Sequence, residues 1–286
     1  MHYWLLVSVL SIKTREVDEG LFDDEIHLCL PPRDSPKYAA FESGIEKKRS
    51  WLKKRKAELG SVAQIAYHGH EPVAFIEYVS AKNAPIPIEK DEKTALITCI
   101  NKPTFQGKGV GAALVQAAID KLRKSDVKQV KTLVGRDPQW ITGNIYLRMG
   151  FRVEKTFLKP GGREPLDLLT LNLEKGQMTM VEPTTIKFDV YTVDSLPVHV
   201  VCFGSGQCPF NALIESRIRK ALEKLDSMLV VLEVLDSWEN CRLARVCGAM
   251  YSDLLINGRM PFLGPPSEEQ IEKEIRKEIE RVKALY

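Results

Sequence analysis

Apolar and polar positions follow two different periods along this chain, and the switches between them mark its elements. Residues 62–67 and 72–79 are rich in β-branched and aromatic residues and are joined by His68-Gly69-His70-Glu71, which predicts two strands in a hairpin. Stretches 95–100, 130–134, 151–156 and 166–173 read as further strands. Residues 110–123 instead place apolar side chains at 110, 114, 115, 118, 119 and 122, the 3.6-residue period of an amphipathic helix. A shorter helix is predicted at 141–149, and 38–59 reads as one long charged helix stopped by Gly60.

Residues 175–185 are polar and turn-rich, and beyond them the pattern restarts. Strands are predicted at 198–203 and 229–234, and helices at 211–225 and 238–246. Stretches 251–256 and 260–263 are predicted to form a hairpin around Asn257-Gly258. A charged helix over 267–285 closes the chain, with Ser267 and Gln270 spaced for a capping box. The expected organisation is α/β (α+β): a mixed sheet flanked by helices over 1–174, a linker at 175–185, and a smaller domain over 186–286. A length of 286 residues suits two such units.

Composition changes this picture little. An apolar content of 44% suffices for packed cores, and a net charge of +3 does not point to nucleic acid. Much of the positive charge lies in the run 46–56, for which a solvated helix face is favoured over a polyanion site. The apolar N-terminal stretch 3–10 is shorter than the roughly 20 residues needed to span a bilayer, and it lacks signal-peptide flanks. A leading strand, no membrane partner and a cytoplasmic setting are therefore expected. The six cysteines form no Cys-x-x-Cys pair, so no metal site is expected, and Cys99 and Cys202 read as inert core thiols. His68 and His70 read as turn residues, with no third ligand near them in sequence.

Candidate chemistry concentrates between Thr98 and Ala112. There a strand enters a loop holding Gly107, Gly109 and Gly111, which opens directly into the helix at Val110. Glycines let backbone approach an anion, and a helix N-terminus offers uncapped N–H groups, so this segment predicts a pyrophosphate site. The spacing fits neither a dinucleotide-binding fingerprint nor a Walker loop.

Gln106, Gly109 and Gly111 match Gln/Arg-x-x-Gly-x-Gly/Ala, and in this the segment resembles the GNAT acetyltransferases. Asn144-Ile145-Tyr146-Leu147-Arg148-Met149-Gly150-Phe151 resembles that family's Tyr-x-x-x-Gly-Phe element. The resemblance implies a GNAT fold, acetyl-CoA as cosubstrate, and a small-molecule or peptide amine as acceptor. It puts Cys99, Ile100 and Asn101 along the pantetheine arm, and Gln106, Gly107, Lys108, Gly109, Val110, Gly111 and Ala112 around the phosphates. It makes Tyr146 the general acid to the leaving thiolate. The family often takes its base from the third or fourth strand, and Glu77 is the nearest carboxylate, with a water positioned by Thr98 as the alternative. Rival readings are a non-catalytic acyl-CoA sensor and a thiol-based interaction module.

The restart after 185 resembles a thioredoxin-like domain, with Ser205-x-x-Cys208 at the strand-to-helix junction. Gly248-Ala249-Met250 falls where that family carries Gly-x-Pro, which makes Cys208 and Cys247 redox candidates. The two halves together resemble YoaP-type acetyltransferases.

Overall fold

The structure, a computed structural model, describes residues 12–88, 91–101, 109–135, 143–158, 165–174, 182–188, 192–249, 253–262 and 264–286. Strands β2 (Ala63–His68) and β3 (Glu71–Ser80) are buried at almost every position. Such strands need cover on both sheet faces, and the alternation of side chains divides them between two cores. Ile65, Tyr67 and Phe75 join the core beneath α1 (Phe22–His27) and α2 (Glu42–Leu59). Ala66, Ala74, Ile76 and Tyr78 join the core beneath α3 (Val110–Leu122).

Completing the sheet are β1 (Ile12–Glu16), β4 (Thr94–Asn101), β5 (Gln129–Gly135), β6 (Arg152–Leu158), β7 (Leu166–Asn172) and β8 (Thr184–Lys187). Among the described residues the order is β1-β2-β3-β4-β5-β7-β6-β8. β4 lies parallel to β5, and α3 provides the crossover between them. This is a mixed α/β sheet flanked by helices, as the strand and helix patterns predict.

Patterning did not reveal β1, α1 or β8. β1 is Ile-Lys-Thr-Arg-Glu, an edge strand with one partly buried position, so no apolar alternation marks it. Residues 184 and 185, inside the stretch read as a linker, belong to β8, which pairs with β6, and Phe188 packs into the core beneath α2. The leading stretch 3–10 lies outside the described residues.

The second unit is built on a three-stranded sheet ordered β10-β9-β11. β9 (Val198–Gly204) and β10 (Val230–Asp236) are parallel and joined by α5 (Phe210–Leu222). β11 (Asp253–Ile256) is antiparallel to β9. Asn257 and Gly258 both take positive φ, 46° and 81°, as the Asn-Gly turn signal predicts. The second hairpin strand expected at 260–263 is absent among the described residues, where pairing ends at one bridge from Ile256 to Arg259. Pro261 has no N–H to donate, and Met260 and Phe262 pack into the two cores of this unit. α6 (Cys241–Val246) follows β10, and α7 (Glu268–Lys283) closes the unit behind the predicted Ser267/Gln270 capping box.

The solvated-face reading of the basic run fits Lys47, Lys53 and Lys54, which are exposed, but not Lys48 and Arg55, which are buried. Its helix, α2, is the surface against which the second unit docks. Trp51 meets Trp238 edge-on at 5.8 Å, Arg55 lies 4.9 Å over the Trp238 ring, and Lys47 and Lys54 pair with Glu215 and Glu239. The fit leaves no slack. A Cβ at Gly44 would lie 2.6 Å from the Pro209 carbonyl oxygen, and one at Gly206 would lie 2.8 Å from that of Lys47.

Candidate active site

β4 pairs with β5 only from Thr94 to Ile97. β5 continues to Gly135 against β7, whereas β4 stays with β3 through Asn101, so the two parallel strands part after Ile97. Thr98 marks the point of departure. It is the extra residue of a β-bulge, unopposed between the Glu77–Cys99 and Tyr78–Ile97 pairs, and bulges of this kind redirect side chains beside functional sites.

Two buried hydroxyls, of Thr132 and Tyr146, lie together where the strands part, and a third belongs to Thr98 at the point of departure. Thr132 is the cross-strand partner of Ile97, the Tyr146 phenol lies beside the Thr132 side chain, and Thr98 follows Ile97 directly. None of the three hydroxyl oxygens makes a hydrogen bond of good geometry, although the Thr132 hydroxyl stands near enough to the Tyr146 phenol to oppose the rise that burial imposes on it. A buried polar atom left unpaired costs roughly 1–3 kcal/mol, so two together at one sheet opening mark a place made for a polar group. Tyr146 comes from α4 (Asn144–Arg148) and packs edge-on against Phe151 at 5.3 Å. Burial pushes its phenol above the ordinary value, which keeps it protonated at neutral pH.

α3 begins beside this opening. Gly109 is its N-cap at φ 78°, a conformation that costs a side chain dearly, and no side chain caps the helix. The first-turn amides, including those of Val110, Gly111 and Ala112, have no carbonyl within the helix to pair with, an arrangement that suits an anion. Gln106, Gly107 and Lys108 lie outside the described residues. Cys99 and Ile100 stand on β4 beyond the parting. Asn101 Nδ2 donates to the Leu28 carbonyl at 2.8 Å and ties the segment after α1 to the end of β4.

On the opposite sheet face lies a cluster that motif reasoning only touched. Glu77 is fully buried, and its Oε1 accepts from Lys48 Nζ at 2.5 Å. Lys48 Nζ also lies 2.9 Å from Glu25 Oε1 and donates to the Gln207 backbone carbonyl at 3.0 Å. Gln207 Nε2 donates in turn to Glu77 Oε2 at 2.8 Å. Burial pushes the Glu25 carboxyl well above its usual range; Lys48 opposes this and the neighbouring Glu77 adds to it. Burial also disfavours the Lys48 charge, but Cys29, Glu25 and Glu77 outweigh it, and the ammonium titrates well above its ordinary value. Neither Glu25 oxygen has a hydrogen-bond partner as an acceptor, because the Lys48 approach is close but poorly angled. Two carboxyls therefore share one cation.

Sequence reasoning missed Lys48, Glu25 and Gln207. A signal existed for Lys48, since positions 44, 48, 51, 52 and 55 form one buried stripe on α2, so a lysine at 48 sits on the apolar face. Nothing local marks Gln207, which arrives from the second unit. Cys208 and Cys247 are both free thiols. Cys208 is exposed beside Gln207, and Cys247 packs partly buried against the core containing Phe203 and Leu255. Among the described residues no group of side chains could hold a metal ion, and no helix is long and apolar enough to cross a membrane.

The model of the acetyltransferase (GNAT) family matches residues 25–151, a little under half of the chain. No curated protein matches. Among solved structures the chain is similar to yncA from Salmonella typhimurium with its cofactor acetyl-CoA, at 14% identity and TM-score 0.44, covering 59% of this chain and 98% of that one. It is also similar to the ribosomal-protein-S18-alanine N-acetyltransferase of Escherichia coli, at 14% identity and TM-score 0.41, covering 60% and 99%. A third is the PaiA N-acetyltransferase of Thermoplasma acidophilum in complex with coenzyme A, at 19% identity and TM-score 0.39, covering 57% and 99%. Residues 25–151, which hold the bulge, the parted strands and the tyrosine helix, are thus an acetyltransferase domain of the GNAT family.

Proposed function

We propose that the chain transfers an acyl group, acetyl in the first place, from coenzyme A to an amine by direct attack on the thioester. The observation that carries this reading is the buried, poorly satisfied Tyr146 phenol beside Thr132 where β4 leaves β5. Acetyl-CoA supplies the activated carbonyl and the leaving thiolate. The uncapped start of α3 suits its phosphates, and the β4 edge beyond Ile97, which has no strand partner among the described residues, suits an extended amide arm. In the transfer a C–N bond forms, the C–S bond breaks, and its electron pair leaves on sulfur. Tyr146 gives its phenolic proton to that sulfur, the attacking nitrogen gives one proton to a base, and a proton returns to the phenolate. A neutral amine is thus acylated with no net proton release, and one that arrives as its ammonium releases one.

For the base the candidates are Glu77 and a water at Thr98. Glu77 belongs to the Lys48 cluster across β4 from Cys99. The thioredoxin-like, YoaP-type reading of the second unit is supported by the β9-α5-β10 parallel crossover, antiparallel β11 and Cys208 just before α5. Six free thiols suit a reducing, cytoplasmic setting.

One observation favours a non-catalytic acyl-CoA sensor, namely the complete burial of Glu77. Acetyl-CoA consumption on a panel of primary amines, followed by mass spectrometry with wild type and Tyr146→Phe, separates the readings. Turnover that falls with the phenol supports the transferase. Acetyl-CoA binding without turnover supports the sensor, and no binding at all removes both.

A further inference from the structure

Resting on that transferase reading, we infer that Thr132 is the positioning residue for Tyr146: its hydroxyl keeps the phenolic proton for the departing sulfur and steadies the phenolate left behind. Thr132 lies mid-sheet on β5, with Ile97 of β4 as its partner on one side and Leu169 of β7 on the other. α4 is seated over this point. A Cβ at Gly143, which caps the helix, would lie 3.2 Å from Val134 Cγ2 and 3.6 Å from Leu169 Cδ1. Val134 is two residues along β5 and so on the same face as Thr132, and Leu169 is the cross-strand neighbour of Thr132. Tyr146, three residues after Gly143, thus comes down beside the Thr132 hydroxyl. Its ring is fixed by Phe151, edge-on at 5.3 Å, whose N–H donates to the Tyr146 carbonyl at 3.1 Å.

As a packing residue Thr132 is out of place. Ile97, Val130, Val134 and Leu169 around it belong to one apolar core, where a valine would fill the same space without burying a hydroxyl. The phenol gives that hydroxyl its use. Thr132 and Tyr146 are both fully buried, so once Tyr146 has given up its proton no bulk water solvates the phenolate.

In the transfer the phenolic O–H bond breaks, an S–H bond forms on CoA, and the electron pair stays on the phenol oxygen. Thr132 keeps its own proton and donates a hydrogen bond to that oxygen. A phenol oxygen that accepts from Thr132 also keeps its single proton for the sulfur. In the resting chain the two hydroxyls stand close without good alignment, and contacts of this kind tighten as charge develops. An interaction made mainly in the transition state speeds the reaction without adding to stability or to cofactor binding.

Release of CoA from acetyl-CoA by the full chain, followed in a single turnover by quenched-flow mass spectrometry, tests this. n-Butylamine serves as one probe acceptor and water alone as another, because the sulfur takes a proton whichever of them attacks. Thr132→Val is expected to slow release about tenfold, the worth of one hydrogen bond to a charged oxygen. The acetyl-CoA concentration for half-maximal rate should stay within about twofold, and the urea midpoint should be unchanged or raised. Thr132→Ser, which restores the hydroxyl, should recover most of the rate. In a Tyr146→Phe chain the Thr132→Val change should cost less than about twofold, because the oxygen it serves is gone. Full rate in Thr132→Val, no recovery in Thr132→Ser, or the same loss in the Tyr146→Phe chain overturns the inference. Wild type that releases no CoA with n-butylamine, water or any amine of the panel instead overturns the transferase reading beneath it.

Discussion

The two faces of β4 handle polar groups in opposite ways. On the α3 face, Thr132 and Tyr146 bury two hydroxyls and give neither a hydrogen bond of good geometry. On the α2 face, Glu77 and Lys48 bury full charges, and a residue 159 positions from Lys48 in sequence completes their hydrogen bonds. A neutral hydroxyl costs little enough to be left waiting for a ligand, whereas an unpaired buried charge costs several kcal/mol and has to be met within the fold. An opening built for a transient guest can therefore be made of hydroxyls. A charged cluster needs a permanent lid, and here the second unit supplies it.

The largest test of this contrast is Lys48→Met, which leaves two buried carboxyls without their cation. A loss of about 3–5 kcal/mol at neutral pH is expected in urea unfolding, smaller at acid pH where both carboxyls take protons. A loss under about 1 kcal/mol would mean that the cluster is not closed off in solution. On the other face, Tyr146→Phe removes a hydroxyl that nothing in the fold needs. It should leave the urea midpoint unchanged or raised, while kcat falls about 100-fold, some 2.7 kcal/mol of barrier. If stability falls instead, the phenol has a partner within the protein and the contrast fails.

Gly206→Ala forces the docked turn away from α2 and should cost about 1–3 kcal/mol, with protease cleavage rising between residues 174 and 192. Intact docking with a bulkier side chain there would show that the lid has slack. Smaller still is the pH effect of Glu25. Its folded pKa is raised, so the native state keeps a proton that the unfolded chain has already released. The stability Glu25 contributes is present below its unfolded pKa and is lost as pH rises through the folded value. Urea titrations should show wild type weakening relative to Glu25→Gln with rising pH, and parallel curves would place that proton elsewhere.

Much of the opening could be read from local sequence. The Gly109 turn, the α3 stripe and Tyr146 ahead of Gly150-Phe151 are short-range patterns, because a helix start and a tight turn depend on residues a few positions apart. Glu77 could be named as a carboxylate on a strand, but not as buried or outward, since both sides of β3 carry apolar residues. Lys48 stood in a run whose charges look solvated until a second unit covers them. The Asn101 side chain is held by the carbonyl of Leu28, which is 73 positions away.

By itself the sequence determined the periods of strand and helix, the turn at Asn257-Gly258, the capped start of α7 and the glycine-led start of α3. These follow from backbone sterics and hydrogen bonding within a few residues. Only the tertiary structure decided where β4 parts from β5, which hydroxyls are left poorly satisfied, and that Gln207 closes over Glu77 and Lys48. Each of these is a matter of burial, and burial belongs to whatever the rest of the chain lays on top.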